Sequence, residues 1–217
     1  MQNNHALNAR HKRLLIIGGG GHGRVVADCA EQCAFYQHII FLVDCTDERK
    51  KIHHWPVINE LENFHRFVDD HDFIVALGDN KTRAEILEKL ALANANIISL
   101  IHPSATISPY TTIERGVVVF ANAVVNIGSK LLTGVIINTA ATIDHDCLIH
   151  SCVHISPGAN IAGGVEIGPY SWLGIGAATV QAIQLAENTQ VAAGAVVTAS
   201  TQANSLYMGV PAKLSKS

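Results

Sequence analysis

An aliphatic residue stands at every sixth position of this chain from Ile101 to Val197, with Thr179 as the exception. A small or β-branched residue stands four positions after each of them. Neither a helix of about 3.6 residues per turn nor an alternating strand produces a strict period of six, whereas hexapeptide repeats are typical of a parallel β-helix. The sequence therefore predicts a left-handed parallel β-helix over residues 101–217, with a cap at its C-terminal end.

Residues 13–100 follow a different pattern, in which apolar strands alternate with helical segments. Strands are predicted at 14–17, 39–43, 73–77 and 97–101, and helices at 24–34 and 81–92. Such alternation favours a parallel sheet, so we expect an α/β, Rossmann-like domain. His102 and Pro103 mark the entry into the repeat, because proline restricts the residue before it. Residues 1–12 predict a short flexible tail.

Composition excludes several classes of function. The net charge of −3 gives no basic field for nucleic acid. No apolar run approaches the roughly 18 residues that span a bilayer, and residues 1–12 lack the apolar stretch of a secretory signal. The five cysteines form no CxxC pair and are expected to be reduced thiols. We therefore expect a cytoplasmic protein that binds no nucleic acid and does not insert into membranes.

A glycine loop, GGGGHG at residues 18–23, follows the first strand and opens a helix, and Asp44 ends the next strand. Backbone amides at such a helix start can bind a pyrophosphate, and the acid can bind a ribose or a base. A domain of about 85 residues is too short for a full dinucleotide fold, so a nucleotide or nucleotide-linked sugar is the expected ligand. A tight turn without a ligand is the alternative interpretation.

The repeat also predicts the surroundings of its histidines. In a three-sided coil of about eighteen residues, residue i lies under residue i+18 at about 4.8 Å. His145 then stands at a corner between two aspartates, with Gly163 directly above it. A flanked imidazole suits a general base, and a solvated corner histidine is the alternative. His154 lies on the side opposite that corner, so the two histidines can share a site only between subunits.

One outward wall of the predicted coil is apolar, since it carries Val118, Phe120, Ile136 and Trp172. A wall of this kind is expected to pack on another subunit, which predicts a homotrimer with intersubunit active sites. A zinc site formed by His145, His150 and His154 is not expected, because these residues point to different sides of the coil. We predict no metal.

Five segments together carry a family resemblance: residues 17–23 (IGGGGHG), 76–80 (ALGDN), 138–147 (NTAATIDHDC), 153–159 (VHISPGA) and 209–213 (GVPAK). With these segments the chain resembles the hexapeptide-repeat acyltransferases of the sialic-acid O-acetyltransferase type. Within that group it is most similar to the nucleotide-aminosugar N-acetyltransferases of the bacillosamine pathway.

The resemblance implies a role for each matching residue. It implies that His145 is the general base and that Asp146 orients it, although a glutamate commonly follows the histidine in that family and aspartate is one methylene shorter. It implies acetyl-CoA contacts at His154, Gly163 and Lys213. For the acceptor it implies nucleotide contacts at Gly20, Gly21, His22 and Asp44, and a sugar contact at Asn138.

The acceptor and the class of function have alternatives. The first choice is the amine of a nucleotide-linked 4-amino-4,6-dideoxy sugar, with UDP as the nucleotide. A sialic-acid hydroxyl is the second choice, and a non-catalytic module that binds nucleotide sugars is the alternative from another class.

Overall fold

The computed structural model describes residues 5–215 of the chain. It divides into two compact units, Met1–Pro103 and Ser104–Ser217. None of the helices within residues 5–215 combines the length and the apolar character that crossing a membrane requires.

The first unit is an α/β domain built on a six-stranded sheet. Its elements are β1 (Ala6–Leu7), β2 (Arg13–Ile17), α1 (Gly21–Gln32), β3 (His38–Leu42), β4 (Lys51–Ile52), β5 (Trp55–Ile58), a 3-10 helix (Leu61–Phe67), β6 (Asp72–Val75), α2 (Asn80–Leu92), β7 (Asn96–Ile97) and β8 (Ser99–Ile101). The strand order in the sheet is β4-β5-β3-β2-β6-β7. All of its neighbouring strands are parallel except β4 and β5.

The central strand shows why the sequence forms this sheet. Residues Leu14 to Ile17 of β2 are at most 1% exposed, and β2 pairs with both β3 and β6. A continuous apolar run is typical of a parallel strand that is covered on both faces. The predicted α/β architecture is confirmed. The strands β4 and β5 were not predicted, because they are short and Pro56 interrupts the apolar pattern.

The N-terminal segment differs from the prediction. Instead of a flexible tail, β1 pairs antiparallel with β8. The buried carboxylate of Asp72 then accepts hydrogen bonds from the backbone amides of Arg10 (3.0 Å) and His11 (3.2 Å). The expected tail is thus wrong for residues 5–12, because backbone pairing and a buried acceptor hold this segment. Its first four residues lie outside the described part of the chain.

The second unit is a parallel β-helix of two-residue strands, closed by a short hairpin. The strands are β9 (Thr106–Ile107), β10 (Thr112–Ile113), β11 (Val118–Val119), β12 (Val124–Val125), β13 (Lys130–Leu131), β14 (Ile136–Ile137), β15 (Thr142–Ile143), β16 (Leu148–Ile149), β17 (His154–Ile155), β18 (Asn160–Ile161), β19 (Glu166–Ile167), β20 (Trp172–Leu173), β21 (Ala178–Thr179), β22 (Gln184–Leu185), β23 (Gln190–Val191) and β24 (Val196–Val197), followed by β25 (Leu206–Met208) and β26 (Lys213–Leu214).

These strands stack in three sheets, as the period of six predicts. The sheets have the orders β9-β12-β15-β18-β21-β24, β10-β13-β16-β19-β22 and β11-β14-β17-β20-β23-β25-β26. From β9 to β24, paired residues are eighteen positions apart, as Val118 and Ile136 are, whereas β25 pairs with β23 at an offset of sixteen. The aliphatic residue of each hexapeptide ends its strand and faces inward; Ile137, Ile143 and Ile149 are 0% exposed. The predicted β-helix is confirmed.

The prediction that this apolar wall packs on another subunit is wrong for three of its four residues. Val118, Phe120 and Ile136 point out of the coil, yet they are only 1%, 2% and 1% exposed within the single chain. Other parts of the same chain therefore cover them, and they are not available to a second subunit. Of the four wall residues, Trp172 is the one that stays exposed, at 44%.

Candidate functional site

His145 lies at an exposed corner of the β-helix, in the turn between β15 and β16. Its Nδ1 is 2.9 Å from a carboxylate oxygen of Asp146, and its backbone amide donates to the Asp144 carboxylate at 2.8 Å. Asp146 has a left-handed backbone, with φ of 57°, which aspartate tolerates. This turn brings the short carboxylate back to the imidazole. The aspartate therefore reaches the ring although it is one methylene shorter than glutamate.

Two glycines make room for this pair of side chains. A Cβ on Gly163 would lie 2.4 Å from Nε2 of His145, and a Cβ on Gly128 would lie 2.3 Å from a carboxylate oxygen of Asp146. Gly163 thus lies against the imidazole, as the repeat predicts. Gly128 was missed from the sequence, although it occupies the same corner one coil earlier and the period could have found it.

The charges around this corner favour the protonated imidazole. The hydrogen bond to Asp146, with the charge of Asp144, raises the pKa of His145. In turn, hydrogen bonds from the Asn126 side chain and the His145 amide lower the pKa of Asp144. An imidazole with one nitrogen bound to a carboxylate keeps one tautomer, which leaves Nε2 as the basic atom.

His154 lies in β17, and Asn138 directly follows the neighbouring strand β14. The Asn138 amide is 3.1 Å from Nε2 of His154, and the imidazole stacks on Trp172 with ring centroids 5.4 Å apart. The sheet with β17 is opposite the corner between the sheets of β15 and β16. The structure therefore brings Asn138 and His154 to each other and keeps both away from His145 within one chain. Lys213 lies in the C-terminal hairpin, where β26 pairs with β25.

The glycine loop shapes the start of α1. Gly20 precedes the helix, and a Cβ on Gly23 would lie 2.0 Å from the Gly18 carbonyl oxygen. Only glycine allows this close approach of helix and strand. His22 stays neutral near pH 7, because burial and then the charge of Arg83 lower its pKa to about 4.

A cavity of about 420 Å³ opens over this loop. Its lining includes the backbone of Gly19, Gly20 and Gly21 and the cations Arg24, Arg49 and Lys51. Arg49 donates to the Gly19 carbonyl oxygen at 2.9 Å and forms an ion pair with Asp47. Sequence reasoning missed Arg49 and Lys51, because they lie beyond Asp44 in a segment that carries no recognised motif.

Asp44 lines a different cavity, of about 380 Å³, together with Leu61, Phe64 and Lys89. Its carboxylate accepts a hydrogen bond from the Thr46 amide at 2.9 Å, and this bond lowers the pKa of Asp44. The structure therefore places Asp44 and the glycine loop in separate cavities, which the sequence had joined in one site. Among the residues from 5 to 215, no group of three or more His, Cys, Asp or Glu side chains could hold a metal ion.

Two sequence comparisons with known proteins match part of this chain. A family model described as the PglD N-terminal domain matches residues 13–90. UDP-N-acetylbacillosamine N-acetyltransferase of Bacillus subtilis (strain 168) is 31% identical over 112 residues, which cover 51% of this chain and 52% of that protein. The match thus spans about half the length of this curated relative.

Solved structures match over nearly the whole chain. The acetyltransferase domain of PglB from Neisseria gonorrhoeae FA1090, in complex with acetyl coenzyme A, is 41% identical with a TM-score of 0.90, and the match covers 94% of this chain and 100% of that chain. A histidine-to-asparagine variant of perosamine N-acetyltransferase from Caulobacter crescentus, in complex with CoA and GDP-perosamine, is 31% identical with a TM-score of 0.88, covering 94% and 97%.

None of these three names refers to a sialic-acid O-acetyltransferase, and that part of the resemblance stays a prediction. The identity to the gonococcal domain holds over the full length of that domain. The chain therefore belongs to the family of acetyl-CoA-dependent N-acetyltransferases that includes this PglB domain and the Caulobacter perosamine enzyme.

Proposed function

We propose that this chain transfers the acetyl group of acetyl-CoA to the 4-amino group of a UDP-linked 4-amino-4,6-dideoxy sugar. The observation that carries the proposal is the exposed His145, whose Nδ1 is bound to Asp146 and whose ring lies against Gly163. The name of the Bacillus relative supports UDP, and the GDP-perosamine bound to the Caulobacter enzyme makes GDP the competing nucleotide.

His145 is the general base of this proposal. Asp146 accepts a hydrogen bond from Nδ1–H of His145. This leaves Nε2 free to take a proton from the acceptor amine as the amine nitrogen attacks the thioester carbonyl. The new C–N bond replaces the C–S bond, and the proton leaves with the CoA thiol. A thioester is already activated, so positioning and removal of one proton are sufficient for direct transfer.

The remaining site residues bind the two substrates. For the donor we propose His154, Gly163 and Lys213, with His154 contributed by a second subunit of a homotrimer. The opposite placement of His145 and His154 within one chain supports this arrangement. Asn138 contacts the sugar, and its hydrogen bond to His154 supports a common site for the two side chains.

The first unit binds the nucleotide in this proposal. Gly20, Gly21 and His22 hold the diphosphate at the start of α1, where backbone amides favour anions. The cations Arg24 and Arg49, which line the cavity over the loop, support this role. Asp44 binds the base or the ribose from its own cavity.

The proposal is tested with acetyl-CoA and a panel of UDP- and GDP-linked 4-amino sugars and sialic acid, scored by release of the CoA thiol. We expect release with a UDP-linked amino sugar and a loss of about 10²- to 10⁴-fold in turnover for His145→Ala. His150→Ala is the matched control, since His150 is bound to Glu166 away from the corner. Release only with sialic acid would assign O-acetylation, and no release would favour a binding module.

A further inference from the structure

Thr179 is the exception in the aliphatic series, and the structure is irregular at the same place. Its side chain faces the interior, where it is 8% exposed. A buried hydroxyl needs a hydrogen-bond partner, so a threonine here costs more than the valine of similar shape that the repeat favours. The hydrogen-bond partner of the Thr179 hydroxyl indicates why a threonine stands here.

The backbone ladder changes at this residue. Elsewhere in the sheet of β9 to β24, the amide that follows each strand donates to a carbonyl of the next coil: the donors Ser108, Asn126, Asp144 and Val180 pair with the acceptors Val125, Ile143, Ile161 and Val197. At the corresponding place the amide of Ala162 donates to the Thr179 hydroxyl, at 3.1 Å. The Thr179 carbonyl is therefore not the acceptor of this rung.

A second interior side chain, from the preceding coil, binds the carbonyl group of the same residue. The thiol of Cys147 donates to the carbonyl oxygen of Ala162 at 3.2 Å. Burial raises the pKa of Cys147, so the thiol keeps its proton. Both backbone polar groups of Ala162 are thus bound by side chains, immediately before the glycine that lies against His145.

The irregular rung borders a cavity of about 350 Å³. Asp144, Ala162 and Thr179 are among its lining residues, and Asp144 precedes the proposed base in the chain. Under the proposed function, this cavity offers space for a donor whose thioester reaches His145. The pantetheine arm of acetyl-CoA carries two amides, each of which needs an acceptor for its N–H when it leaves water.

We propose that Thr179 forms part of the donor site. Its hydroxyl accepts the hydrogen bond from the Ala162 amide. Its own carbonyl oxygen then accepts a hydrogen bond from a pantetheine amide of acetyl-CoA. This inference rests on the proposed function for its ligand. It assigns a donor-binding role to a residue of the interior series that no motif marks.

The test is Thr179→Val, with Thr179→Ser as the matched control. Valine removes the hydroxyl, restores the aliphatic series and lets the Thr179 backbone carbonyl return to the ladder. We expect an unchanged or higher Tm, an unchanged KM for the amino sugar, and a KM for acetyl-CoA about three- to tenfold higher. Serine keeps the hydroxyl and is expected to keep the wild-type KM.

Calorimetric titration with acetyl-CoA alone separates this inference from the proposed function, since it needs no acceptor. Weaker binding by the valine variant supports the inference even if no amino sugar is acetylated. Wild-type affinity in the valine variant, equal weakening in the serine variant, or no binding of acetyl-CoA by the wild-type chain would each overturn it.

Discussion

Asp146 is one methylene shorter than a glutamate, and its backbone conformation allows its carboxylate to reach His145. The shorter Asp146 side chain reaches Nδ1 at 2.9 Å because its residue adopts a left-handed conformation and Gly128 leaves space for the carboxylate. The cost of that conformation is small for aspartate. Aspartate therefore makes the contact with His145 that the resemblance implies for a glutamate.

The same contact predicts the pH dependence. The hydrogen bond to Asp146 is the main cause of the raised pKa of His145, and the protonated imidazole cannot act as a base. Activity is therefore expected to fall as the pH drops through this raised pKa. Asp146→Asn removes the carboxylate, so the acid limb of kcat/KM should move to lower pH while turnover decreases.

The pH profile of kcat/KM measures this shift, with Asp70→Asn as a control carboxylate in the other unit. A limb that stays in place or moves to higher pH would show that Asp146 does not set the protonation of the base.

At the scale of elements, the loop between β3 and β4 contributes to the cavity over the glycine loop. It places Arg49 over the Gly19 carbonyl, and the ion pair with Asp47 holds the guanidinium there. Together with Arg24 and Lys51 it gives the cavity over the loop a positive lining. A guanidinium group can donate two parallel hydrogen bonds to a phosphate, so Arg49 complements the backbone amides at the start of α1.

We predict that Arg49→Ala raises the KM of the nucleotide sugar about three- to thirtyfold and leaves the KM of acetyl-CoA unchanged, because one charge-assisted hydrogen bond is lost. Steady-state kinetics with each substrate varied in turn measures both constants. Lys50→Ala is the matched control, since it removes an exposed charge from the same loop outside the cavity. If both variants raise the KM of the nucleotide sugar equally, the overall positive charge of the loop accounts for the effect, and a specific contact of Arg49 does not.

At the scale of the whole molecule, the positions of two histidines bear on how subunits assemble. His145 and His154 lie on opposite sides of the β-helix, so a site with both needs a second subunit. The apolar wall does not identify that contact, because Val118 and Ile136 are already buried. A charge at Ile136 would be buried without a partner and would disturb folding, so this position cannot test assembly.

Complementation tests the trimer directly. His145→Ala and His154→Ala are each expected to be inactive, and co-assembled mixtures should recover about a quarter of the wild-type activity, because some sites receive both intact histidines. Unfolding and refolding the two variants together, followed by light scattering and an activity assay, gives the mass and the recovery. A mixture that assembles and stays inactive would place both histidines in one chain or remove His154 from the site.

The sequence by itself determined the β-helix, its register and the environment of its corner. A hexapeptide repeat specifies contacts between neighbouring coils, and these depend only on positions separated by a fixed number of residues. For this reason the stacking of Gly163 against His145 could be predicted, as could the inward series with Thr179 as its exception. The α/β domain followed in the same way from alternating apolar and helical segments.

Only the tertiary structure decided which outward positions meet solvent and which side chains share a cavity. Ile136 points out of the coil and is nevertheless buried, and Asp44 follows its strand as predicted but lines a cavity apart from the glycine loop. The hydrogen bond between the Ala162 amide and the Thr179 hydroxyl could not be predicted from the sequence either. Burial, cavities and exchanged hydrogen bonds depend on segments that are distant in the chain, and a local period carries no information about them.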